Sequence, residues 1–301
     1  MQSLGSMPPS TPAATDSALP SLSDRVPPHA YFLVSAVFHY LGPSFAVLLF
    51  ARLAPPGVAW LRIASAGLVF AVWRRPWRLF VALPRRDQAI ITALGIVLAA
   101  MNTLFYEAIA RLPLATVGAI DFLGPIAVAA WGMRTQRNAA ALLLAAAGVY
   151  MLTDVRLAGG WLGYVFAFAN CALFMAYILL GHRISAGGAG VSGVDRLACA
   201  MLVAAVAALP FGLRAALPAF SDPLLLAAAV GVGVSSSVIP YVCDQLAMAR
   251  LPRASFALLL SLLPASAAAI GFLVLRQVPT LAELLGIALV VGGVALHRAA
   301  E

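Results

Sequence analysis

Apolar residues run in stretches of membrane-spanning length from about residue 30 to residue 298, broken at short intervals by Pro, Gly and Arg. Candidate spans fall at roughly 30–52, 57–74, 88–110, 113–133, 138–154, 159–182, 193–213, 223–246, 253–275 and 280–298. Most approach the ~20 residues needed to cross a hydrocarbon core of ~30 Å. Pro and Gly are too scattered, and the runs too long, for barrel strands, so the spans are expected to be helical. Connections are tight and marked by Pro55-Pro56, Pro84, Pro113, Gly159-Gly160, Gly187-Gly188, Pro218, Pro252 and Pro279. Loops this short leave no room for an extramembrane catalytic domain.

A short phrase recurs midway. Ala-Arg-Leu-Pro stands at Ala110–Pro113 and again at Ala249–Pro252, 139 residues later. Each copy is followed by an alanine (Ala115, Ala254) and then by a second proline (Pro125, Pro264). Tyr241 and Gln245 repeat Asn102 and Tyr106 at the same offset. With five spans per copy, the second copy is upside down relative to the first, as in many secondary transporters. The expected architecture is an all-α integral membrane protein of ten transmembrane helices in two inverted-topology five-helix repeats, at 29–156 and 157–301. Residues 1–28 are rich in Pro, Ser, Thr and Ala and are expected to form a disordered cytoplasmic tail. They lack the basic start and apolar run of a signal peptide.

Composition agrees with the pattern. The chain is 63% hydrophobic and 10% charged, with mean hydropathy +0.98, too apolar for a single soluble core. All nineteen basic residues are arginine. A net charge of +8 would suggest nucleic acid in a soluble protein, but these arginines cluster between spans, where they set orientation instead. With the N-terminus cytoplasmic, the inner side holds Arg74, Arg75, Arg78, Arg85, Arg86, Arg134, Arg137, Arg183, Arg250 and Arg253, and the outer side fewer. Both termini are therefore expected inside. Cys171, Cys199 and Cys243 lie within apolar runs without metal spacing and read as reduced core residues.

Polar residues inside spans carry the functional information. An ionised side chain at mid-bilayer costs about 2.5–3.5 kcal/mol on insertion scales. Arg62, Glu107, Asp121 and Asp244 occupy such positions. Arg62 either snorkels or pairs permanently with an acid, or it anchors a carboxylate with its planar fork of donors. Asn102 and Tyr106 share one helical face. Glu107 suits a solvated vestibule or a coupling role. Asp121 precedes Gly124-Pro125, and a proline there frees a carbonyl one turn back, so a polar pocket for a proton-carrying acid or a structural hydrogen bond is expected. Asp244 lies close to the inner boundary. Ser235, Ser236 and Ser237 are expected only to pack closely or bond back to helix carbonyls. Asn170, Phe174 and Tyr177 fall on one face of the sixth span, as packing or as a pocket wall. His39 titrates near neutral pH or bridges helices; with Tyr40 and Gly42-Pro43 it interrupts the apolar pattern of the first span.

There is no P-loop, H-E-x-x-H, G-x-S-x-G or paired His/Cys cluster in the sequence. Coupling to ATP, a cofactor and enzymatic activity are therefore not expected.

Several segments resemble the drug/metabolite transporter superfamily of the ten-helix EamA type, and most closely its bacterial threonine/homoserine exporter branch. They are Leu61-Arg62, Met101 to Tyr106, Leu112-Pro113 through Asp121 to Gly124-Pro125, and Pro240-Tyr241 with Ala249 to Pro252. The resemblance implies proton-driven export of a small amino acid or related metabolite across the bacterial inner membrane, through a cavity between the repeats. It implies substrate contacts at Arg62, Asn102, Tyr106, Tyr241 and Gln245, with Asn170 and Tyr177 alongside. Proton coupling falls to Asp121, with Glu107 and His39 as further candidates. Three positions depart from that branch: Leu263 and Gln277 replace acids, and Asp121 replaces a glutamate. Export of drugs or other metabolites by the same scaffold is the alternative, and a polytopic membrane enzyme a remote one. Monomer and homodimer are left open.

Overall fold

The computed structural model describes residues 26–132, 135–154, 160–185, 193–248 and 263–296. Among them all regular structure is helical: α1 (Pro28–Leu49), α2 (Pro55–Arg74), α3 (Pro76–Ala82), α4 (Arg85–Ile109), α5 (Leu114–Gly132) and α6 (Gln136–Asp154). Then come α7 (Trp161–Ser185), α8 (Gly193–Phe220), α9 (Pro223–Gly233), α10 (Ile239–Met248), α11 (Leu263–Leu275) and α12 (Leu281–Leu296). A π-helical turn, Val234–Val238, joins α9 to α10 without a break. Among the described residues, five segments are long and apolar enough to cross a membrane: His29–Leu49, Pro55–Arg74, Arg85–Ile109, Gly193–Phe220 and Pro223–Asp244. Leu114–Gly124, Trp161–Tyr177, Leu263–Leu275 and Leu281–Gly293 are shorter apolar segments.

Proline sets several helix starts. Pro55, Pro76 and Pro223 occupy first-turn positions, where a missing N–H costs nothing. Asp222 caps α9, its Oδ1 accepting from Leu224 N (3.0 Å) and Leu225 N (3.1 Å). The Leu225 N–H and the Arg52 guanidinium hold this carboxyl below the usual carboxylate range. The capping contribution is thus present above the ordinary carboxylate pKa and is lost only as pH falls through the depressed one. Pro43 lies inside α1, and Pro210 and Pro218 inside α8, yet both helices continue past them. α8 consequently reaches Phe220, beyond the expected end at 213.

The short α3 was not expected. Arg75, with φ of 47°, ends α2 and starts α3 in one left-handed step. Trp73 and Trp77 flank that step, half exposed, as aromatic side chains at a membrane interface do. Arg74 pairs with Asp195 of α8 at 3.1 Å. Of the ninth span only α11 is described; residues 253–262, the tail 1–25 and the second Ala-Arg-Leu-Pro copy lie outside the described residues.

Packing is dominated by α2 along α8, α6 along α12, and α4 against α7 and α8. α1 packs on α10, α11 and the π turn. Leu33, Val72, Val81, Leu143, Phe211 and Leu273 face outward with most of their surface exposed. In lipid that exposure carries no penalty, and what holds helices together is close packing. Gly42 illustrates it: a Cβ there would fall 2.3 Å from Ser236 Cβ. Gly42→Ala is expected to destabilise the purified protein by about 1–3 kcal/mol, read as a lowered midpoint of thermal unfolding in detergent.

Candidate functional site

Arg62 projects from α2 between Leu61 and Ile63, which are themselves buried in the two apolar cores. Its own side chain is only 6% exposed. The guanidinium does not snorkel; it lies against the π turn. Nε donates to Ser237 Oγ at 2.8 Å and Nη2 to the Ser236 carbonyl at 2.9 Å. The serine run therefore does more than pack, correcting the reading from sequence. A π turn inside an α-helix is a frequent mark of a functional site. Ser65, one turn on, bonds back to the carbonyls of Leu61 and Arg62 at 2.7 and 3.1 Å.

The Tyr106 ring lies beside the Arg62 guanidinium, 5.4 Å from Cζ to ring centroid. This is a cation–π contact in a desolvated setting. Tyr106 is fully buried, edge-on to Phe50 at 6.1 Å. Its hydroxyl ends near Ser236 and Arg62 without a well-formed hydrogen bond. Asn102, one turn away, is buried and donates Nδ2 to the Leu98 carbonyl at 2.8 Å. Tyr241 on α10 is buried next to Asn102. Arg62 and Tyr106 are thus brought together, with Asn102 one turn from Tyr106 on the same helix and beside Tyr241. Gln245 lies one turn past Tyr241, and its side chain falls outside the described residues.

Asp121 on α5 anchors a second polar group. Asn170 of α7 donates Nδ2 to Asp121 Oδ1 at 2.6 Å. The Asn170 Oδ1 is buried with no hydrogen-bond partner among the described residues. Tyr40 of α1 reaches the same place, its hydroxyl 3.0 Å from where a Cβ at Gly118 would stand. His39 is edge-on to Tyr40 at 5.6 Å and lies within the field of Arg62. Cys171, buried on α7, touches the Asp121 carbonyl at 3.9 Å.

Glu107 lies apart from these groups, whereas Tyr177 adjoins Tyr241. Glu107 forms an i,i+4 ion pair with Arg111, whose guanidinium covers Phe166 at 5.0 Å. Tyr177 stacks on Phe174 at 6.0 Å and borders Tyr241 and Asp244. Near Asp244, Ser35 of α1 donates its hydroxyl to the Pro240 carbonyl at 3.3 Å. Leu263 is buried among apolar neighbours. Gln277 is not idle: its Oε1 accepts from Leu114 N at 3.1 Å, capping α5 from the α11–α12 connection. Gln277→Leu would leave that N–H unpaired, with an expected loss of about 1 kcal/mol in a thermal melt. Beside it is a cavity of ~20 Å³ lined by Pro113, Thr116, Ala268, Gln277 and Glu283, room for a single water.

Comparison with known proteins identifies the family. The EamA-like transporter family matches residues 161–298. The threonine/homoserine exporter RhtA of Salmonella typhimurium (strain LT2) is 32% identical over 257 residues, covering 83% of this chain and 84% of that one. RhtA of Escherichia coli (strain K12) is 31% identical over the same shares. A protein known from a crystal structure shares the fold at a TM-score of 0.58, over 89% of this chain and 96% of that one. Its 20% identity limits that likeness to the fold. The chain belongs to the EamA-type transporters of the drug/metabolite transporter superfamily, in the branch of the threonine/homoserine exporters.

Proposed function

We propose that the chain is a secondary active exporter of a small zwitterionic amino acid of the threonine/homoserine kind, driven by the proton gradient across the bacterial inner membrane. The observation that carries this is the buried Arg62 guanidinium, set against Tyr106 and the π turn. A cation so placed is costly unless it has a use, and its fork of donors matches a carboxylate. In this reading Arg62 holds the substrate carboxylate, while Asn102, Tyr106, Tyr241 and Gln245 shape the cavity with Asn170 and Tyr177. Asp121 exchanges the proton, and Glu107 and His39 are secondary candidates for that step.

Two inverted repeats, at 29–156 and 157–301, complete the proposal, with ten spans rocking about the midplane. The packing supports it. α4 packs on α7 as the α9–α10 segment packs on α1; α4 meets α8 as α9 meets α2; α5 meets α7 as α11 meets α1. Exchanging the first five spans for the last five maps these contacts onto themselves, with α2–α8 and α6–α12 self-paired. Cross-links at the helix ends support an alternating path. Arg52–Asp222 and Gln277–Leu114 join one end, and Arg74–Asp195 and Arg137–Leu296 join the other. α1 begins and α12 ends on the Arg74 side, where both termini would be cytoplasmic.

A second reading, export of another metabolite or a drug, draws on apolar Leu263 where the branch has an acid. A tolerance screen separates them. Cells expressing the chain should grow at inhibitory threonine or homoserine concentrations that stop control cells. Tolerance of unrelated compounds only would favour the second reading.

A further inference from the structure

Nε and Nη2 of arginine carry two parallel N–H bonds along one edge of the guanidinium, the edge that grips both oxygens of a carboxylate. In Arg62 both of these donors are taken, by Ser237 Oγ at 2.8 Å and the Ser236 carbonyl at 2.9 Å. Two acceptors from consecutive residues thus stand where the two oxygens of a carboxylate would stand. An ordinary helical turn would not need this spot. Here the chain between α9 and α10 is wound as a π turn, and glycines bring it in close on both sides. Gly42 of α1 lies against Ser236, and Gly233, just before the turn, lies against Arg62 O and Ser65.

We infer that the π turn is an internal stand-in for the substrate carboxylate: Ser236 and Ser237 hold the Nε–Nη2 edge of Arg62 when no substrate is bound, and substrate displaces them as its carboxylate takes that edge. This rests on the reading of Arg62 as the carboxylate anchor. The reason for such a device is electrostatic. A buried guanidinium needs acceptors in every state of the cycle, and an empty site without water has none unless the protein supplies them. Competition from an internal ligand weakens substrate binding by the free energy of the contact displaced. It also links occupancy of Arg62 to the α9–α10 segment, because the turn is released when the substrate arrives. Ser236 and Ser237 are accordingly positioning residues that tune affinity.

Removing one competitor should tighten binding. In the purified full-length protein, Ser237→Ala is expected to bind L-threonine roughly three- to tenfold more tightly than wild type. Binding of L-threoninamide, which has no carboxylate, should not change between the two proteins. A merely structural serine would shift both ligands together or weaken threonine binding. Ser237→Thr restores a hydroxyl and should return the affinity to the wild-type value. Threonine binding by Ser237→Ala that is unchanged or weaker overturns the inference, while wild-type binding keeps the transport reading intact. Absence of threonine and homoserine binding by wild type removes both. A second measurement needs no variant. Saturating threonine should raise deuterium uptake across Val234–Val238 in the wild-type protein, and unchanged or lowered uptake there contradicts the displacement.

Discussion

Arg62→Ala is expected to lower transport of threonine or homoserine at least about thirtyfold, with the protein still inserted. Truncating one partner of a buried charged contact costs about 2–5 kcal/mol, and each 1.4 kcal/mol is tenfold. The residues that now hold Arg62 survive its removal, since the Ser237 hydroxyl can turn back to a carbonyl of its own helix, as Ser236 does toward Val232. Arg62→Lys keeps the charge but loses the paired donors, so a loss of about tenfold is expected. Uptake of labelled homoserine into proteoliposomes, normalised to reconstituted protein, measures both. Wild-type rates in Arg62→Ala would remove Arg62 from recognition.

The second large effect concerns energy coupling. With one proton exchanged per substrate, a gradient of one pH unit supports about tenfold accumulation. Asp121→Asn keeps an oxygen that can still accept from Asn170 but cannot carry a proton at neutral pH. The variant should therefore equilibrate substrate, with accumulation falling to none, while exchange of labelled for unlabelled substrate persists. Accumulation by Asp121→Asn equal to wild type would move coupling to another group, with His39 and Glu107 next in line. Glu107 already has a cation partner in Arg111, and His39 lies in the field of Arg62.

The helices and their order were legible because hydropathy at this density leaves the backbone no other solution. α3 was not, because seven residues carrying Trp77 and Arg78 look like a basic loop between aromatic anchors. The face shared by Asn102 and Tyr106 followed from i,i+4 spacing, and Arg62 and Asp121 stood out as charges in lipid-length runs. What they touch did not follow. Asp121 meets Asn170 across 49 residues, and Arg62 meets Ser237 across 175. Nothing local marks such pairs. Three serines in a membrane helix ordinarily bond to their own backbone, and nothing local signals the π turn that packs against Gly42 and Arg62. The identity of Gln277 as a cap was hidden for the same reason, since its acceptor meets the first turn of a helix 163 residues away.

Recognition of a carboxylate by one buried arginine is the proposition on which transport, coupling and the role of the π turn all depend. It is tested most directly in wild-type proteoliposomes, by competing uptake of labelled threonine with unlabelled threonine and, separately, with threoninamide. The account predicts that threonine suppresses uptake and that threoninamide, equal in size but lacking the negative charge, leaves it intact. Equal suppression by both compounds would contradict it.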